Sequence, residues 1–383
     1  MCFNKKYCTL SLFIVLTALL SCTGGSTSSS SSEGDTLQLK YAKRLCIVQH
    51  EGYTEVALAD PWNEGKTLHR YILINTADRA SRFSREANFA NATIIHTPLK
   101  RSVVATSVHC GLVHSFGKVS SIAGVCDLRY INLPYIQRGC EQGTIADCGS
   151  GLAPSLETIL DLQPDALFLS PFQNSGGYGK LEKIGVPIIE TADYMEKSAL
   201  GRAEWMRFYG MLFGAEREAD SIFQAVEQRY LQLKALAKAQ HDDVSVLMDK
   251  QTGAVWYVPG GQSTIGRLIA DANIRYPWAA NEQSGSVALP FESVLEQAAD
   301  ADCWLFRYNA PRATTLAELL SENNGYSQFR AFQHGEVYGC NTATTTFYED
   351  TPFHPDLLLR DFISITHPEL QLGAPVYFEK LRK

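Results

Sequence analysis

The chain has 383 residues, 45% of them apolar, 20% charged and 10% aromatic. That composition excludes a disordered, collagen-like or multi-pass membrane protein, and the length allows two or three domains. With 34 Lys and Arg against 41 Asp and Glu the formal charge is -7, and no basic block marks a nucleic-acid partner.

Lys5 and Lys6 precede an apolar run from Leu10 to Leu20, which stops at Leu19-Leu20-Ser21-Cys22. A charged head, a short apolar stretch and a small residue before the cut describe a secretory signal. The run is shorter than the roughly 20 residues that span a bilayer. Leu-Leu-Ser-Cys resembles the lipobox of bacterial lipoproteins, which implies a signal peptide over 1–22 and lipidation of Cys22. Residues 23–36, rich in Ser and Gly, cannot bury enough surface to fold and read as a tether. The expected location is the cell envelope, as a lipoprotein facing the periplasm.

Residues 37–98 read as an N-terminal β extension. Val56 and Leu58, then Tyr71 and Leu73, alternate with other residues, and Asp60-Pro61-Trp62 marks a turn. Residues 99–197 form a first α/β lobe. Val103-Val104-Ala105 is a strand, Thr106-Ser107 caps a helix over Val108–Phe116, and Ile122–Val125 and Pro187-Ile188-Ile189 are further strands.

Residues 198–240 are helical, broken near Gly210 and Gly214. Glu216–Ala239 carries a stripe of Ala219, Ile222, Phe223, Val226 and Tyr230 and spans about 36 Å. Residues 241–383 form a second lobe. Val244–Met248, Val255–Val258 and Val337–Cys340 are its strands, and Ser263–Ala270 and Pro355–Ile365 its helices. Strands alternating with helices imply parallel sheets.

One unit occurs twice. Leu156-Glu157-Thr158-Ile159-Leu160 followed by Asp165–Leu169 parallels Phe291-Glu292-Ser293-Val294-Leu295 followed by Asp302–Phe306. Each copy reads as a helix feeding a strand that is apolar on both faces, as a buried parallel strand is. The fold class is therefore α/β: two Rossmann-like lobes joined by a long bracing helix, with a short N-terminal β extension. Two such lobes face each other across a cleft at the carboxyl ends of their strands, where open sheets bind ligands.

Ten cysteines are too few for a disulfide scaffold in a chain of this length. Beyond Cys22, Cys140 and Cys148 flank a Gly-containing turn that suits a disulfide. Cys46 and Cys303 read as small buried hydrophobes. No C-x-x-C is present. His109 and His114, five apart, lie about 140° apart on a helix and do not form the one-face pair of a metal site. No metal site or cofactor is assembled from these residues.

The stretch Ser155-Leu156-Glu157-Thr158-Ile159-Leu160-Asp161-Leu162-Gln163-Pro164-Asp165 resembles the S-x-E…L-x-P-D pattern of ABC-importer solute-binding proteins. These are of the helix-linked class (class III) that handles ferric siderophores, haem and cobalamin. Lys183-Ile184-Gly185-Val186-Pro187, the helices of 198–239, Trp256–Gly261 and Pro355–His367 extend the likeness over roughly residues 99–370. The resemblance implies a lipid-anchored monomer that captures a metal chelate and delivers it to an ABC permease–ATPase complex, without catalysis.

It also implies a cleft lined by the loops after strands. Phe172, Tyr178, Trp256, Tyr308, Phe347 and Tyr348 are candidates to stack on a planar ligand, and each fits core packing equally well. Arg307 is the candidate to grip an acidic oxygen, Tyr130 and Tyr135 stand at the rim, and His109 sits at a helix start near the cleft. Glu182 and Glu318 are candidates for docking on the permease. The chelate stays open between ferric siderophore, haem and cobalamin. The alternatives are a lipoprotein hydrolase, for which no G-x-S-x-G or H-E-x-x-H is found, and a membrane-tethered sensory or adhesion module on the same fold.

Overall fold

A computed structural model describes residues 34–76, 89–174, 177–241 and 243–383. The signal and lipidation expectations, Cys22 included, lie outside the described residues. The first element is a sheet of β1 (Asp35–Thr36), β2 (Leu45–His50), β3 (Tyr53–Ala59), β4 (Thr67–Asn75) and β5 (Thr93–Thr97). The first four strands are antiparallel neighbours, and β5 joins β4 in parallel. Asp60 Oδ1 shapes the turn after β3 by accepting the N–H groups of Trp62 and Asn63 at 2.8 and 2.9 Å. Leu45 and Ile47 point inward while Cys46, between them, is exposed. The expectation that Cys46 is buried is corrected: this strand alternates faces, and only one face is covered.

The first lobe is built from β6 (Ser102–Val104), α1 (Ser107–Ser115), β7 (Ile122–Val125), α2 (Pro134–Glu141) and β8 (Ala146–Asp147). A short hairpin of β9 (Gly149–Ser150) and β10 (Ala153–Pro154) follows, then α3 (Leu156–Leu162), β11 (Ala166–Leu169) and β12 (Ile188–Glu190). Its sheet is wholly parallel in the order β12-β11-β6-β7-β8. The Ser155 hydroxyl caps α3 by accepting the Thr158 N–H, and Gln163, left-handed at φ 46°, ends it before Pro164. Every residue of β11 is buried, as a central strand covered on both faces demands.

Cys140 and Cys148 are both free thiols, which corrects the disulfide expectation. Cys148 belongs to the apolar cluster on one face of the sheet, with Cys126 and Ile159, whereas Cys140 packs against the cluster on the other face.

Three helices follow: α4 (Ala199–Glu204), α5 (Met206–Phe213) and α6 (Glu216–Lys238). Gly214, at φ 58°, takes the left-handed turn that ends α5 and releases the chain into α6. Along α6, Ala219, Phe223, Val226 and Tyr230 are buried at steps of four, three and four.

The second lobe contains β13 (Val246–Met248), β14 (Gln251–Thr252), β15 (Val255–Pro259), α7 (Thr264–Asp271), β16 (Ser286–Leu289), α8 (Phe291–Ala298) and β17 (Cys303–Tyr308). It continues with α9 (Leu316–Glu322), α10 (Arg330–His334), β18 (Val337–Asn341), α11 (Phe347–Asp350), α12 (Pro355–Thr366) and β19 (Glu379–Lys380). Strands β13, β17 and β18 are parallel, with β19 antiparallel at the edge. The 255–258 strand is not part of that parallel sheet. A tight turn at Gly253 folds β15 back on β14, and β16 extends this antiparallel ribbon.

The duplicated unit is visible as α3 leading to β11 and α8 leading to β17, each a central parallel strand of its own sheet. The two sheets are separate, which leaves room for a cleft. Among the described residues no helix is long and apolar enough to cross a membrane.

Candidate ligand-binding site

Elements of both lobes converge on an inner chamber of about 230 Å³. Val108, in the first turn of α1, comes from the first lobe and Arg202 from α4. Ile265 of α7, Arg307 of β17, and Phe347 and Tyr348 of α11 come from the second. Its arginines are held on one edge and open on the other. Arg307 donates from Nε and Nη2 to the two carboxylate oxygens of Asp249 at 3.0 and 2.7 Å. Asp249 is aimed by its left-handed turn at φ 57°, directly after β13. Burial opposes the Arg307 charge, but the Asp249 carboxylate more than offsets it and raises the guanidinium pKa.

Arg202 donates from Nε to Asp193 Oδ2 at 2.8 Å. Asp193 is fully buried and also accepts from the Tyr209 hydroxyl at 2.8 Å and from His109 Nε2 at 2.9 Å. Burial alone would raise its pKa; His109 and Arg202 outweigh it and hold the carboxyl well below the usual carboxylate range. Neither Nη of Arg202, nor Nη1 of Arg307, has a hydrogen-bond partner among the described residues. Two fixed cations therefore offer free N–H donors to one chamber with aromatic and aliphatic walls. This is a geometry for planar, bidentate recognition of acidic oxygens.

A larger outer chamber of about 450 Å³ adjoins it, with Thr264 at the start of α7 lining both. Its walls include Tyr194 and Lys197 from the segment after β12, Gln262 and Arg267 from the second lobe, and Arg44 and Pro61 from the N-terminal sheet region.

A sequence model of the periplasmic binding protein family matches residues 112–344. The chain belongs to that family. An uncharacterized lipoprotein of Methanocaldococcus jannaschii is 25% identical over 91% of this chain and 86% of its own length. A periplasmic haem-binding protein of Pseudomonas aeruginosa superposes with a TM-score of 0.56 at 18% identity, covering 74% of this chain and 99% of the other. The molybdate periplasmic binding protein MolA of Haemophilus influenzae does so with a TM-score of 0.57 at 16% identity, covering 71% and 87%. The fold is that of the helix-linked binding proteins. The protein is a binding component of the ABC-transport type that acts outside the cytoplasm, and its task is capture rather than catalysis.

Within this binding protein, Arg307, Phe347 and Tyr348 line the inner chamber together, and the Arg307 guanidinium lies 5.9 Å from the Phe347 ring centre. Other expectations are corrected. Trp256 is wholly buried, packed 5.6 Å from both Trp304 and Phe329, because its side of β15 faces the core of the second lobe. Tyr308 lies on the same face of β17 as Phe306, with the two rings tilted 5.7 Å apart, opposite to Arg307, and its hydroxyl accepts the Thr314 N–H. His109 is buried behind Arg202, with Nδ1 on the Thr106 hydroxyl at 2.5 Å and Nε2 on Asp193. Tyr178 turns its hydroxyl into the first lobe, and that oxygen is buried.

Phe172 and Tyr130 are exposed and line neither chamber, and Tyr130 stacks under Arg129. Glu182 accepts the Tyr178 N–H at 2.6 Å, and Glu318 closes the capping box of α9 and pairs with Arg312. Both carboxylates make these local contacts while still reaching solvent, Glu182 exposed and the Glu318 side chain 40% exposed.

Arg202, Asp193 and Asp249 escape the sequence reading. The available signal for Arg202 is a lone cation in the otherwise small and apolar start of a helix, Ala199-Leu200-Gly201-Arg202-Ala203.

Proposed function

We propose that this is a lipid-anchored solute-binding protein that captures an anionic metal chelate between Arg202 and Arg307 and hands it to an ABC permease–ATPase complex. The observation that carries the reading is that pair of arginines, Arg202 fixed by the buried Asp193 and Arg307 by the partly buried Asp249, each with unspent N–H donors on the same chamber. An acidic ligand, such as a ferric catecholate or carboxylate siderophore or the propionates of haem, satisfies them. A nearly neutral corrinoid does not.

Two structural neighbours, a haem-binding and a molybdate-binding protein, are consistent with such a ligand. The lipoprotein name of the relative, together with Leu19-Leu20-Ser21-Cys22, supports the anchor. Glu182 and Glu318 are kept as the docking acids, one on each lobe. At about 230 Å³ the chamber is below the usual ligand-pocket range of about 300–1,000 Å³, so the lobes part to admit the chelate. The test is to incubate the purified chain with a ferric tris-catecholate, haem and cobalamin, desalt, and record a visible spectrum. Retention of an anionic chromophore is expected. Retention of cobalamin alone, or of nothing, rejects the reading.

A further inference from the structure

Three cations line the outer chamber, none of them tied up in an ion pair with a described residue. Arg44, Lys197 and Arg267 make no ion pair among the described residues, and each has N–H donors to spare. Arg44 is steadied from the side, with Nε on the Met195 carbonyl at 3.0 Å and Nη1 near the Asp60 carbonyl at 3.4 Å. Arg267 is held by Gln262, Nε on the carbonyl at 3.2 Å and Nη2 on Oε1 at 2.6 Å.

Of the two acids on the wall, Glu196 is already committed. It is buried and accepts the backbone N–H of Lys43 at 3.0 Å, that of Arg44 at 2.8 Å and the Trp205 indole N–H at 3.0 Å. With Glu282 that makes two carboxylates against three cations, a net positive lining of one charge, and neither acid forms an ion pair with them. A cavity that gathers unpaired like charges against low-dielectric walls attracts the opposite charge.

The position of Arg44 is built in rather than incidental. Glu204 accepts the N–H groups of Lys40, Tyr41 and Ala42 at 2.9, 2.7 and 2.8 Å, and Glu196 takes the next two. Five successive backbone donors are thus clamped onto two carboxylates, Glu196 just before α4 and Glu204 at its last residue. The clamp carries Arg44 to the chamber whatever its side chain does. Arg44 and Pro61 both lie outside the region matched by the family, which begins at residue 112.

We infer that the outer chamber is a second anion subsite, which takes an acidic arm of the chelate held in the inner chamber, and that the N-terminal sheet is a wall of the binding site. The inference rests on the anionic-chelate reading above. It adds a ligand class: chelates with a carboxylate, catecholate or phosphate group projecting from the metal-binding core. Such a group meets Arg44 from the N-terminal sheet, Lys197 from the first lobe and Arg267 from the second, so it also holds the lobes together once bound.

The experiment measures affinity of the full chain for two matched pairs of probes. One pair is a trianionic ferric tris-catecholate and a neutral ferric trihydroxamate. The other is haem and its dimethyl ester. Arg44→Ala is expected to weaken the acidic member of whichever pair binds by about tenfold, the effect of removing a charge-assisted hydrogen bond, and the neutral member by less than about twofold. Arg267→Ala, on the opposite wall, is expected to do the same and stands independently if Arg44→Ala fails to fold. Equal losses on both members, or no loss from either variant while Arg307→Ala abolishes binding, overturn the subsite and leave the capture reading standing. Binding of no acidic probe by the unaltered chain overturns both.

Discussion

Asn132 of the first lobe donates its backbone N–H to Oε1 of Glu349 in the second, at 2.7 Å. The Asn132 side-chain amide adds bonds to the carbonyls of Thr342 and Thr345 at 2.6 and 2.8 Å. Beneath them Gly111 is pressed against the Glu349 backbone so closely that a Cβ there would come within 2.5 Å of its carbonyl oxygen. The lobes therefore touch directly, through α1 and α11, beside the chamber. On the proposed capture function these contacts act as a latch between the lobes. Asn132→Ala removes two side-chain hydrogen bonds, each contributing about 0.5–1.5 kcal/mol. It is expected to raise the association rate by about tenfold, read by stopped-flow fluorescence; an unchanged rate rules the latch out. Gly111→Ala is expected to block closure and weaken binding.

Arg307 has two jobs that can be separated. Arg307→Ala leaves the mostly buried Asp249 unpaired and is expected to cost about 3 kcal/mol of stability. It is also expected to weaken an anionic chelate by about 1.5–3 kcal/mol. Adding Asp249→Asn should restore most of the stability, measured by denaturant unfolding, and none of the affinity. Recovery of affinity in the double variant would remove Arg307 from the ligand.

Stability should peak in mildly acidic solution. Burial pushes Glu190 up to about 7, even against a lowering contact from Tyr178, and Asp361 up to about 6, against backbone N–H groups of 376–378. Between the ordinary carboxylate range near 4 and those values the folded state holds more protons than the unfolded chain, so stability falls as pH rises. Asp193 has the opposite sign: its depressed pKa gives stability that is present above about pH 4 and lost on further acidification. Glu190→Gln is expected to gain up to ~3 kcal/mol at pH 8 and little at pH 5. Equal gains at both pH values would contradict the assignment.

Trp256 belongs to the core of the second lobe and not to the ligand. Trp256→Ala is expected to lower stability by about 3–5 kcal/mol, with chelate affinity unchanged in the folded fraction. A selective loss of affinity would return Trp256 to the site.

The parts of the fold legible in the sequence are those written locally. The Ser155 and Ser263 caps, the Gly214 stop and the apolar runs at 166–169 and 303–306 each act within a turn or a strand, and the helices and strands follow them. Which face a strand residue takes depends on partners distant in sequence. That is why Trp256 and Tyr308 read as cleft residues while Arg307, one position from Tyr308, is the one that lines the chamber. Arg202 was hidden for a related reason: α4 reads as part of a strut, and only the fold brings Asp193 and the second lobe to it. The parallel pairing of β5 with β4 likewise depends on residues 20 or more apart in sequence.

The central claim is that two arginines on one inter-lobe chamber hold an acidic chelate. Equilibrium dialysis of the chain and of an Arg202→Gln/Arg307→Gln variant against a ferric tris-catecholate and haem tests it most directly. The account predicts one equivalent of an acidic chelate bound per unaltered chain and a loss of at least about a hundredfold in affinity in the variant. Equal uptake by a folded variant, or no uptake by the unaltered chain, would contradict it.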